Sequence, residues 1–160
     1  MSDAGKVASI LLMLIGGASG STAGGIKVGT VGLLICSVVQ IARGREQIVI
    51  MRRTISKDTV LRAMTIVSIG IACAFGSAIL LSAGCNISFM NAVYETSSAY
   101  ATVGLSLNVS PSLNLFGRCV VILLMYMGRV GILTIIYSLA IRNANSAKTV
   151  EYPETVFPVG

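Results

Sequence analysis

Three short stretches hold the residues whose types and spacing could do chemistry. The first is Gly-Gly-Ala-Ser-Gly-Ser-Thr-Ala-Gly-Gly-Ile-Lys at residues 16–27, where five of twelve residues are glycine. The second is Thr102-Val103-Gly104-Leu105, with Glu95 upstream, and the third is Arg129 between Gly128 and Gly131. Enzymatic readings of these stretches fail on residue type. Gly17-Ala18-Ser19-Gly20 has the G-x-S-G pattern of a nucleophilic serine, but a serine needs a general base. The chain has no histidine, and Lys27 lies beyond the glycines. A phosphate-binding loop needs Gly-Lys followed by Ser or Thr, which Gly25-Ile26-Lys27-Val28 does not supply. Cys36, Cys73, Cys85 and Cys119 form no C-x-x-C pair, so neither zinc nor a disulfide framework is indicated. The expectation is a protein that is not an enzyme and carries no covalently bound cofactor.

What remains is the handling of ions by backbone carbonyls. Potassium filters replace the hydration shell with carbonyls of a Thr-Val-Gly type strand, and the glycine permits conformations that other residues resist. Thr102, Val103, Gly104 and Leu105 fit such a strand, with potassium bound through carbonyls near Gly104; an outer loop with a glycine turn is the alternative. Glu95 would support the strand from behind by bonding to backbone or hydroxyl groups, the alternative being direct ion coordination. Arg129, a charge inside an apolar span, would oppose cation passage, or else serve as a structural arginine that snorkels or pairs to helix-end carbonyls. Gly16, Gly17, Ser19, Gly20, Ser21, Thr22, Gly24 and Gly25 predict a helix that opens, because glycine is costly to hold in a helix and the hydroxyls can bond the freed carbonyls. In lipid an opened backbone is tolerated only inside protein or beside a watery cavity, so this break faces a pore. Lys27 either guards the same path or anchors at the interface.

The elements that must position these residues are membrane helices. Apolar residues make up 54% of the chain and charged ones 11%, and several long windows carry no charge. The net charge of +6 does not point to nucleic acid, because its basic residues cluster at 43–62 between apolar segments, as in a cytoplasmic loop. Residues 7–15 and 28–42 together give about 24 helical residues, enough for one broken span. Residues 63–84 form a complete span, with Gly70 and Gly76 for close packing. Residues 86–108 are too polar for lipid, whereas 116–141 make a last span. For the basic loop and the Arg142 and Lys148 end to lie on one side, the polar segment must enter and leave on the other. A half-helix at about 88–100 and an extended strand at 101–106 have that form, giving helix, pore loop, helix.

Taken together, residues 16–27, the stretch Tyr94-Glu-Thr-Ser-Ser-Ala-Tyr-Ala-Thr-Val-Gly-Leu-Ser106, and Gly128-Arg-Val-Gly-Ile-Leu-Thr134 resemble the Trk/Ktr/HKT superfamily of potassium transporters, and its Ktr-type membrane subunit in particular. The resemblance implies an all-α integral membrane fold in which four helix, pore-loop, helix repeats surround one pore with fourfold pseudosymmetry. Residues 1–45 would be the second helix of the third repeat, broken by a gating loop at 16–27, with a cytoplasmic basic loop at 46–62. Residues 63–141 would be the fourth repeat and 142–160 a cytoplasmic tail. Gly104 matches the filter glycine of that repeat, and Arg129 the arginine that bars the cavity together with the loop. Implied partners are membrane lipid, a second copy in a homodimer, and a cytosolic ring of nucleotide-binding regulatory subunits, with residues 43–62 and the tail as contacts for the ring or for the dimer partner. The resemblance implies potassium uptake across the cell membrane by a multi-pass chain with a cytoplasmic C-terminus, and leaves sodium coupling open. Such transporters carry three further pore loops upstream, so the expectation is the C-terminal part of a transporter from a truncated or split gene, lacking its N-terminal repeats. The competing readings are a two-helix potassium channel subunit assembling as a homotetramer, and a non-functional fragment.

Overall fold

The computed structural model describes residues 2–18, 20–44, 48–50 and 53–131. Ser19, part of the basic segment, the far part of the expected last span and the whole tail lie outside them. Five α-helices and one short hairpin make up the described residues.

Helix α1 runs Asp3–Leu14, four residues ahead of the apolar run, because Ser2 caps it by accepting the Gly5 amide at 3.3 Å and Asp3 sits in the first turn. The interruption follows, and α2 occupies Val28–Ala42. It ends where Gly44 takes φ +69 and donates to the Ile41 carbonyl at 2.9 Å. The expected basic loop proves more structured: β1 (Ile48–Ile50) and β2 (Arg53–Ile55) pair antiparallel in the register Ile48↔Ile55. The Gln40 side chain bonds the Val49 amide and carbonyl at 2.8 and 2.7 Å, tying this hairpin to the end of α2.

Helix α3 spans Lys57–Cys85 and so begins six residues ahead of residue 63. Asp58 lies in its first turn, and Lys57 and Arg62 carry charge on long stems that helix ends at a membrane surface accommodate. At 29 residues it is the one helix among those described that is long and apolar enough to cross a bilayer. Asn86 stops it in the left-handed region, which asparagine tolerates. Helix α4, Phe89–Tyr100, is the centre of the fold. Every residue from Ala92 to Tyr100 is buried, although the helix contains Glu95, Thr96, Ser97 and Ser98. Helices α1, α3 and α5 pack around it. Gly70 of α3 makes room for the Tyr100 hydroxyl, which would stand 2.6 Å from a Cβ there.

Helix α5, Leu115–Val130, is capped by Asn114, whose side chain accepts the Gly117 amide at 2.8 Å. Residues 132–141 of the expected last span lie outside the described residues, and α5 ends before Gly131. That residue takes φ +86, a conformation open to glycine, and closes the helix one residue after Val130.

Candidate functional site

The break between α1 and α2 is a loop pinched at its neck. Gly16 donates its amide to the Ile26 carbonyl at 2.6 Å, Ile26 to that of Leu14 at 3.3 Å, and Val28 to that of Gly17 at 3.2 Å. The backbone groups freed by opening the helix therefore bond one another across the neck, as burial requires. Beyond the neck, Ser21 donates to the Ala18 carbonyl at 3.0 Å, and its side chain accepts the Ala23 amide at 3.3 Å. Lys27 turns back into the loop, where its ammonium donates to the carbonyls of Ser21 and Ala23. Its charge is thus spent on bracing the loop from within. Gly20, at φ +95, has no neighbour around its open side.

At the end of α4 the backbone leaves the helix through Thr102 and Val103, whose amides bond the carbonyls of Ala99 and Ser98 at 3.2 and 3.0 Å. Thr102 has φ +56 and Gly104 φ +84, with Val103 between them outside that region. Alternation of hand along a strand turns successive carbonyls toward one side, whereas a regular β-strand points them alternately. For the β-branched Thr102 this conformation costs about 1–2 kcal/mol, so something must hold it there.

Glu95 reaches forward from α4 to the chain beyond this strand. Its carboxylate accepts the Ser106 hydroxyl at 2.9 and 3.1 Å and also that of Ser110. Ser106 in turn accepts the Asn108 amide at 3.1 Å. Glu95 is 5% exposed, so its carboxylate is met by directed donors in place of water. A pocket of about 220 Å³ separates Glu95 and Gly104 from Val121 and Met125 of α5.

The three stretches meet. Gly24 at the loop donates its amide to Thr102 Oγ1 at 2.8 Å, and Arg129 at the end of α5 donates to the Thr22 carbonyl. Gly24 is wedged so tightly that a Cβ would stand 2.7 Å from Thr102 Cγ2 and 3.0 Å from the Gly128 carbonyl oxygen. Gly25 lies against Ala101. One open cleft of about 540 Å³ has Gly16, Gly17 and Ala23 on one wall and Ala101, Thr102, Val103 and Leu105 on another. The C-terminal ends of α1 and α4 both reach this cleft, and such ends carry the negative pole of the helix dipole. Cations are favoured at such ends.

Of the residues singled out by sequence, Ser19 lies outside the described residues. Gly16, Gly17, Ser21, Thr22, Gly24, Gly25 and Lys27 belong to one loop, and this loop touches Thr102 and Arg129. Val103, Gly104 and Leu105 border the cleft or the pocket behind it. Sequence reasoning missed Ser110, which is separated from Glu95 by fourteen intervening positions and carries no motif. It also missed the roles of the Thr22 carbonyl and the Gly24 amide, which no side chain announces.

Comparison with known proteins places these elements in context. The TrkH model, described as a cation transport protein, matches residues 1–152. The chain is 37% identical to the potassium/sodium uptake protein NtpJ of Enterococcus hirae, over all of this chain and 36% of that one. It is 34% identical to Ktr system potassium uptake protein B of Bacillus subtilis, over 92% of this chain and 33% of that one. A protein of the same description from Vibrio alginolyticus is also 34% identical, over 94% of this chain and 32% of its own length. The chain thus spans about a third of the length of these curated relatives, and they are transporters, not enzymes.

Proposed function

The chain belongs to the TrkH family of cation transport proteins, and on that premise we propose that it forms one quadrant and the gate of a potassium uptake pathway across the cell membrane. The observation that carries this reading is the junction at the cleft, where the Gly24 amide meets Thr102 and Arg129 holds Thr22. A loop in that position obstructs whatever passes residues 101–105.

In this reading α3, α4 and α5 are the helix, pore half-helix and helix of a fourth repeat. Residues 101–106 are the filter strand, and α1 with α2 is the broken second helix of the third repeat. Support comes from the burial of a polar α4, the alternating hand at Thr102 and Gly104, and the helix dipoles aimed at the cleft. Glu95 keeps the strand in place through Ser106 and Ser110 and does not touch the ion. The further repeats complete the pore from outside this chain. A homodimer, the surrounding lipid and a cytosolic nucleotide-binding ring are the partners proposed, with the hairpin tied to α2 by Gln40 as a contact for that ring. The transported ion is potassium, with sodium coupling admitted because a relative is named for both ions. A multi-pass chain with a cytoplasmic C-terminus satisfies the charge bias of residues 43–62. The family match begins at residue 1 and takes in α1 and α2, which counts against a two-helix channel subunit. Competition between potassium and sodium for uptake, with and without Gly104→Ser, tests this function.

A further inference from the structure

We propose that the pocket shared by Glu95 and Gly104 is a resident cation site, in which a sodium ion held by Glu95, Ser98 and Ser110 balances the buried carboxylate and stays bound while potassium is transported. The inference rests on reading residues 101–106 as the filter, since only then is this ion distinct from the one that passes.

The charge of Glu95 calls for a partner. Its carboxylate is met by the neutral hydroxyls of Ser106 and Ser110. Such dipoles orient toward a carboxylate but leave its negative charge in place, and a buried charge without a counter-charge is costly. Among the described residues no lysine or arginine pairs with Glu95, and none lines the pocket beside it. That pocket, of about 220 Å³, has room for an ion with several waters.

Ser98 supplies an independent observation. It stands three residues after Glu95 on α4, a spacing that puts both on one face of the helix, and both line the pocket. Ser9 and Ser37 of other helices bond the carbonyl four residues back, as helical serines commonly do. Ser98 is 3% exposed, yet its hydroxyl makes no hydrogen bond among the described residues. It is a buried ligand without a partner, beside a buried charge without one. Ser106 has a lone pair taken by the Asn108 amide, whereas the Ser110 hydroxyl, which also lines the pocket, only donates. The carboxylate with the oxygens of Ser98 and Ser110 is an all-oxygen set of single negative charge, which suits a hard monovalent cation. Calcium sites gather more oxygens, from more than one carboxylate. Sodium fits better than potassium, because the smaller ion is satisfied by a few protein oxygens with water, whereas potassium takes a full cage of carbonyls. Val121 and Met125 of α5 close the pocket with apolar groups, which strengthens the attraction between ion and carboxylate.

The test is equilibrium binding of radiolabelled sodium to the purified full-length transporter carrying this segment, in excess potassium so that the filter holds the transported ion. The parent is expected to retain sodium. Ser98→Ala should weaken that binding by about tenfold or more, the loss of one hydroxyl ligand to a charge. In choline its thermal unfolding midpoint should match the parent's, because the Ser98 hydroxyl bonds nothing in the protein. Sodium replacing choline should raise the midpoint of the parent and leave that of Ser98→Ala where it was. Glu95→Gln should abolish sodium retention, and Ser110→Ala, which should weaken it as Ser98→Ala does, keeps the test decisive if either of the others fails to reach the membrane. A parent that releases all its sodium in potassium, or retention in Ser98→Ala and Ser110→Ala equal to the parent's, would overturn the proposal. Gly104→Ser that leaves ion preference unaltered overturns the filter reading; sodium retention that ignores Ser98→Ala, with Gly104→Ser altering preference, overturns the resident site alone.

Discussion

Gly128 of α5 lies so close to the end of α4 that a Cβ on it would stand 1.9 Å from the Tyr100 carbonyl oxygen. The obstacle is backbone at the end of a helix buried from Ala92 to Tyr100, so no rotamer change relieves it. This contact fixes where α5 crosses α4 and, one residue later, where Arg129 starts toward the loop. Gly128→Ala should therefore destabilise the full-length transporter by about 1–3 kcal/mol or more, the range of overpacking in a filled core. Thermal unfolding in detergent checks this, and a midpoint matching the parent would mean that α4 and α5 are not in contact here.

Glu95 binds the hydroxyls of Ser106 and Ser110, beyond residues 101–105, and those bonds form one network. Glu95→Ala should cost about 1–3 kcal/mol by leaving Ser106 and Ser110 without their charged acceptor, and Glu95→Gln should cost less. A double-mutant cycle of Glu95→Gln with Ser110→Ala should return a coupling above about 0.5 kcal/mol. Additive effects would place Ser110 elsewhere in the working protein.

Gly104 has open space around its missing Cβ and φ +84, so the penalty for a side chain there is purely conformational. Gly104→Ser is accordingly expected to weaken the preference for potassium over sodium while leaving membrane abundance near normal. Uptake of labelled rubidium in competition with each ion measures it. Unchanged preference would remove Gly104 from the filter.

Much of the arrangement was readable beforehand, for reasons that differ by element. The interruption between Leu14 and Val28 is announced by glycine spacing, and the polar stretch around Glu95 by its unsuitability for lipid. Helix starts at Asp3 and Lys57 were harder, since hydropathy marks where apolar residues begin, whereas Ser2 and the acidic first-turn residues mark where the backbone turns helical. The end of α5 at Val130 is not legible in an apolar run, which carries no mark of the Gly131 backbone angle. Least legible were the contacts that join the stretches. The Gly24 amide and the Thr22 carbonyl are backbone groups 78 and 107 positions from their partners Thr102 and Arg129, and only folding brings them together.

Arg129 is the point on which the proposed gating turns, because its side chain bonds the Thr22 carbonyl of the loop. The decisive measurement is potassium flux through the full-length transporter in proteoliposomes, without any regulatory subunit, comparing the parent with Arg129→Gln. The account predicts higher basal flux in Arg129→Gln, at equal protein content, through the loss of both latch and charge. Flux that disappears in Arg129→Gln while its membrane abundance stays normal would contradict it, and would make Arg129 a support of the pore instead of its obstruction.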